Sequence, residues 1–144
     1  MSPYLGGSLE RFLSQVNDYL DVPTALVSGV RVACAHLPEA YEERAFAGVR
    51  WRIRGHTLAH VVTREHEHGA LTYVTFHAAG IELEALVAMG DPFFAGWGPG
   101  LVSMVLRDDG TTDWDEVKEL LTESYCLLAP KKLIALLGAA QPDI

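Results

Sequence analysis

Apolar positions recur every three or four residues at the start of the chain. Leu9, Phe12, Leu13, Val16 and Leu20 fall on one face of a helix that Ser8 can cap and Pro23 ends. A second helix is predicted from a Thr24 cap, with Leu26, Val30, Ala33 and Leu37 on its buried side and Pro38 as its stop. From Ala45 to His77 the period changes to two, the spacing of strands with one buried face. Val49, Trp51 and Ile53 alternate with Arg50, Arg52 and Arg54. Gly55-His56 reads as the centre of a tight hairpin, which pairs Arg54 with Thr57 and Ile53 with Leu58 and sets His60 opposite Trp51. A third strand, Leu71 to His77, follows the polar turn at 65–69.

Beyond it, a helix from Ile81 to Met89 closes at Gly90-Asp91-Pro92. The Gly- and aromatic-rich stretch 93–100 leads into an apolar strand, Leu101 to Leu106, which Asp108-Asp109-Gly110 ends. Asp113 with Glu116 three residues on opens a helix in the manner of a capping box, with Trp114, Val117, Leu120, Leu121 and Leu128 as its apolar stripe. Pro130 suits the first turn of a terminal helix carrying Leu133, Ile134 and Leu137. The order is helix, helix, three strands, helix, one or two strands, then two helices. That is an α+β domain.

At 144 residues the chain has room for one substantial core and not for two. Hydrophobic residues make up 49% and charged ones 21%, the balance of a folded soluble protein. Lys plus Arg number 11 against 19 for Asp plus Glu, a formal charge of -8, so the molecule as a whole repels nucleic acid and anionic lipid, and any such binding needs a local patch. The opening residues carry neither a basic start nor a long apolar run, and Leu133 to Ala140 is far below a spanning length, so a cytoplasmic location and no membrane partner are expected. Cys34 and Cys126 stand in no metal or redox spacing and are read as reduced thiols.

One patch of the required sign is present. Five basic residues lie between Arg44 and Arg64 with no carboxylate among them, whereas Asp108 to Glu123 holds seven acids and one Lys. Strand alternation projects Arg50, Arg52 and Arg54 from one side about 7 Å apart, close to the spacing of phosphates along a nucleic-acid strand. Arg64 and Lys132 are further candidate phosphate contacts, and Phe94 and Trp97 form a candidate aromatic platform. The competing reading is a solvated sheet face, or arginines paired with the acidic helix. Trp51, His60, Tyr73 and His77 are candidates to line a pocket, against the plainer reading of His60 as a core histidine. His66-Glu67-His68 is no closed ligand set, so neither a metal site nor a cofactor is expected. The Gly96–Gly100 loop opens a strand and not a helix, unlike a phosphate cradle. No nucleophile motif is present, and the chain is not expected to be an enzyme. Lys131 and Lys132 sit where a helix dipole disfavours cations, which points to pairing with acids or to an anion contact.

Several stretches together carry a resemblance: Leu37-Pro38-Glu39-Ala40 with Glu42-Glu43, the strand from Val49 to Ala59, the Asp91-Pro92-Phe93-Phe94 loop, and Asp113-Trp114-Asp115-Glu116-Val117 leading to Ala129-Pro130-Lys131-Lys132-Leu133. From Thr24 to Leu137, about four-fifths of the chain, the sequence resembles the MmcQ/YjbR family, small bacterial proteins labelled DNA-binding. The resemblance implies an antiparallel sheet with helices against one face in the order α-β3-α-β2-α, an architecture like that of secretion chaperones, and it establishes no catalytic residues. Gly98-Pro99-Gly100-Leu101 stands where many members carry a basic residue and a Trp. Two units follow, an accessory N-terminal helix at 1–22 and the family-like domain at 23–144. The expected functions are DNA binding through the basic sheet face or, as the alternative, binding of a protein or small ligand by the sheet and the aromatic loop.

Overall fold

The computed structural model describes residues 19–140. Strand β1 (Tyr19–Leu20) precedes helix α1 (Thr24–Cys34). Four strands follow: β2 (Tyr41–Arg44), β3 (Val49–Ile53), β4 (His56–His66) and β5 (Gly69–His77). Helix α2 (Gly80–Met89), strands β6 (Phe93–Ala95) and β7 (Leu101–Leu106), and helices α3 (Trp114–Leu128) and α4 (Lys131–Ala140) complete the described chain. The class expected from the sequence is the class observed: α+β, with an antiparallel sheet in the order β2-β3-β4-β5-β7-β6. Strand β1 pairs with the second half of β4, past the end of β3.

The core lies between one face of the sheet and the helices. Trp51, Ile53, Val61, Val74, Phe76, Val102 and Met104 turn inward from the strands and pack with Leu26 and Val30 of α1 and Val117, Leu121 and Tyr125 of α3. Removing that apolar area from water is the main force holding helices to sheet. The capping reading at α3 is observed, since the Asp113 carboxylate accepts the Glu116 N–H at 3.1 Å. At α1 the expected Thr24 cap is not used. Pro23 takes the cap position, and its carbonyl accepts from the N–H groups of Leu26 and Val27 at 3.0 and 3.1 Å.

Other expectations need correction. The helix predicted through Leu20 is replaced at its end by β1; residues 8–18 of that prediction lie outside the described residues. The first strand run has four members rather than three, because β2 carries Glu42, Glu43 and Arg44 and no apolar alternation. Charged side chains suit an edge strand and hide it from a hydrophobicity pattern. The hairpin register also differs. The turn centres on Arg54-Gly55, both at positive φ (48° and 82°), so that Ile53 pairs with His56. A bulge at Leu58 then shifts the ladder: Arg52 pairs with Thr57, Trp51 with Ala59, and Arg50 with His60. His60 is therefore across from Arg50, on the opposite face of the sheet from Trp51.

Candidate functional site

The corrected register fills the sheet face opposite helices α1 and α3. Arg50 and Arg52 share it with His60 and Thr57, their cross-strand partners. From there it continues through Val62 paired with Tyr73, His60 paired with Thr75, and Thr75 paired with Ser103. A cleft of about 350 Å³ is sunk into this face. Val62 and Tyr73 are buried at its floor, and Tyr19, Trp97 and Leu101 wall it. Its polar lining is Thr57, His60, Thr75 and His77. Trp97 is 67% exposed, so most of its indole surface faces solvent beside the cleft.

The cleft is held in shape by local hydrogen bonds. His60 donates through Nε2 to the Ala47 carbonyl at 2.6 Å, which assigns the ring proton to Nε2 and leaves Nδ1 as an acceptor in the neutral ring. Thr75 and Ser103 join hydroxyls at 2.7 Å. The Phe94 ring meets Tyr73 edge-on at 5.3 Å and 73°, clamping β6 to the floor. By contrast, the imidazole of His77 and the hydroxyl of Thr57 have no hydrogen-bond partner among the described residues. Of the four predicted pocket residues, His60, Tyr73 and His77 come together, and Trp97 joins them from the predicted aromatic platform. Trp51 does not, because it packs under the helices on the other side of the sheet. Tyr19, Thr57, Val62, Thr75 and Leu101 were not singled out from the sequence. The bulge at Leu58 turns Thr57 into the cleft, whereas Tyr19 and Leu101 come from the pairing of β1 with β4 and of β5 with β7.

The basic cluster has a different geometry from the predicted ladder. Arg50 and Arg52 do lie on one face, but both bind the carboxylate of Glu43, Arg52 at 3.3 Å. Arg52 also donates to the Gly55 carbonyl, and its Nε is buried without a partner. Arg54 leaves the strand at the turn and forms a two-pronged pair with Glu39 at 2.9 and 3.1 Å. That hydrogen bonding raises the Arg54 pKa and lowers that of Glu39, which the nearby charge of Lys132 lowers further. The Arg64 guanidinium stacks over Tyr19 at 5.2 Å. The five residues thus make no uniform row, and the acids that meet Arg50, Arg52 and Arg54 come from the segment 39–43, outside the acidic helix.

Other chemistry is sparse. A hollow of about 610 Å³ beside α1 has Arg31 and Glu42 on its wall, already joined to each other at 2.7 and 2.9 Å. Burial pushes the Cys34 thiol up to about 12, and burial also raises Cys126, so neither is a ready thiolate. Among the described residues, no group of three or more His, Cys, Asp or Glu side chains is placed to hold a metal ion. Nor is any helix there long and apolar enough to cross a membrane.

Helices α1 and α3 pack on one face of the antiparallel sheet and the cleft lies on the other, which makes the described chain an α+β domain. The YjbR family model matches residues 35–127, 93 of the 144 residues, and the chain belongs to the YjbR family. No curated protein matches it.

Proposed function

We propose that this chain is a non-catalytic binding domain whose ligand surface is the sheet face opposite helices α1 and α3. The observation that supports this reading most strongly is the cleft itself. It combines a buried apolar floor, aromatic walls and a few polar groups, two of them without partners among the described residues, which is the usual makeup of a small-ligand site. Its size falls at the lower end of the range for such sites. The hydrogen bonds of His60 and Thr75 serve to hold its walls, which favours recognition over proton transfer.

DNA binding by the basic face is less well supported by the geometry. Each of Arg50, Arg52 and Arg54 already meets a carboxylate, and the whole chain carries -8. Titrating a small-fragment set and, separately, duplex DNA into isotope-labelled protein distinguishes the two readings. Fragments are expected to move the backbone resonances of Thr57, His60, Tyr73 and His77. If only DNA does so, with affinity that falls steeply with salt, nucleic acid is the ligand.

A further inference from the structure

We infer that residues 8–18 are the cleft's own cover, a helix whose Leu9, Phe12, Leu13 and Val16 lie over the cleft until a ligand displaces them. This rests on the binding-domain reading above and adds the regulation of its site. Two observations carry it. The first is where the segment joins the fold. Strand β1 lies along β4 with Tyr19 across from Arg64, and Tyr19 is itself a wall of the cleft. The Arg64 guanidinium over the Tyr19 ring holds that wall in place. Residue 18 therefore meets the sheet at the edge of the cleft.

The second observation is matching chemistry. Leu9, Phe12, Leu13 and Val16 recur at i, i+3, i+4 and i+7, an apolar helix face that needs an apolar seat. Helices α1 and α3 already fill that role on the other side of the sheet. The hollow beside α1 is also close to β1, but Asp21, Arg31, Glu42 and Arg44 line it. No Asp, Glu, Lys or Arg lines the cleft, where Val62, Tyr73, Trp97 and Leu101 supply apolar surface. The dimensions agree as well. From β1 across β4 and β5 to β7 is three strand spacings, about 14 Å. Residues 8–16 as a helix measure about 14 Å, with 17 and 18 as the link. Because the segment is tethered at the cleft wall, its effective concentration there is high and a weak contact suffices. An apolar stripe gives no partner to the Thr57 hydroxyl or the His77 imidazole, so a ligand that satisfies them gains the advantage needed to displace it.

The test uses the full chain in two arms. In the parent protein, nuclear Overhauser contacts are expected from the Leu13 and Val16 methyls to the Trp97 indole or the Leu101 methyls, and this arm needs no variant. The second arm measures binding of 2-naphthamide, an uncharged probe, by the parent and by the double variant Phe12→Ser, Leu13→Ser. Releasing the cover should tighten binding at least about fivefold, because the fraction of molecules with an open cleft rises by that factor. Absence of the Overhauser contacts, or contacts to Phe46 in the hollow beside α1 instead, overturns the inference; if the probe still moves the Thr57, His60 and His77 resonances, the binding-domain reading stands without it. Contacts with equal affinity in parent and variant overturn the displacement. If the contacts are present and neither the probe nor any fragment moves the cleft resonances of either protein, the segment is a permanent part of the fold, and the binding-domain reading fails as well.

Discussion

Ser124, a fully buried hydroxyl on α3, ties three elements together. It donates to the Leu58 carbonyl at 2.7 Å and accepts the His77 N–H at 3.0 Å. Leu58 is the bulge residue, so its carbonyl lacks an ordinary ladder partner, and the bulge is what turns Thr57 toward the cleft. Ser124→Ala removes one small atom and orphans two backbone groups. It is expected to cost about 2–3 kcal/mol in denaturant unfolding and to shift the Thr57 and His77 amide resonances. An unchanged midpoint would show that the bulge does not need this anchor. Two glycines at positive φ give a second contrast. A Cβ on Gly48 (φ +72°) would lie 1.9 Å from the Val61 carbonyl oxygen, whereas one on Gly55 (φ +82°) meets nothing within 4 Å. Gly55→Ala should therefore cost only its backbone strain, about 1–2 kcal/mol. Gly48→Ala should cost clearly more, because β3 and β4 must separate to admit the methyl, and a smaller loss than at Gly55 would contradict the close approach.

Between elements, helices α2 and α3 bring Glu82 and Glu123 together at the mouth of a second, smaller cleft. Hydrogen bonding with Glu82, then burial and the charges of Glu82 and Glu119, push the Glu123 carboxyl up to about 7 from its ordinary 4.5. The folded state holds this proton more tightly than the unfolded chain. Stability from this group is thus greatest below pH 4.5 and declines as pH rises from there through 7. Glu39 and Glu42 act in the opposite sense, because hydrogen bonds from Arg54 and Arg31 lower their values and their contribution is lost on acidification below the ordinary carboxylate range. Glu123→Gln is expected to flatten the dependence of Tm on pH between about 5 and 7 and to raise Tm at pH 8 relative to the parent, measured by calorimetric scans. Parallel profiles for the two proteins would show that the carboxyls do not interact. The elements themselves were largely legible from the apolar pattern: α1 and α3 each bury one regular stripe, and β7 is a continuous run buried on both faces. Strand β2 was not, because an edge strand of charged residues bears no such stripe. The register of the β3–β4 hairpin was not either, because the positive φ of Arg54 and the bulge at Leu58 are set by tertiary pairing and leave no mark in residue type. That single misplacement put Trp51 in the pocket and hid Thr57, so the site was read in part while the fold class was read in full.

At the scale of the molecule, the charge distribution decides what the basic face can do. In sequence it is a run of five cations without an acid. Folding brings Glu43 from β2 onto Arg50 and Arg52, and Glu39 from the loop before β2 onto Arg54. Both acids stand just ahead of the run in sequence, and the β2–β3 pairing and the hairpin turn bring the arginines back onto them. Each exposed pair is individually weak in water, yet a phosphate must displace the carboxylate before the guanidinium can serve it. The dependence of duplex affinity on salt counts the phosphate contacts made, at about 0.9 per contact. Three free arginines would give a log-log slope near 3, whereas paired ones should give a slope below about 1. The double variant Glu39→Gln, Glu43→Gln keeps side-chain size and releases all three guanidiniums. It is expected to bind duplex DNA more tightly than the parent and to steepen the slope by at least about 0.9, measured by fluorescence anisotropy at several salt concentrations. Were the parent already to show a slope near 3, the carboxylates would be yielding to phosphate, and the arginine face would be a nucleic-acid surface in its own right. Were neither protein to bind at low salt, the arginines would be reserved for their carboxylate pairs at the sheet edge.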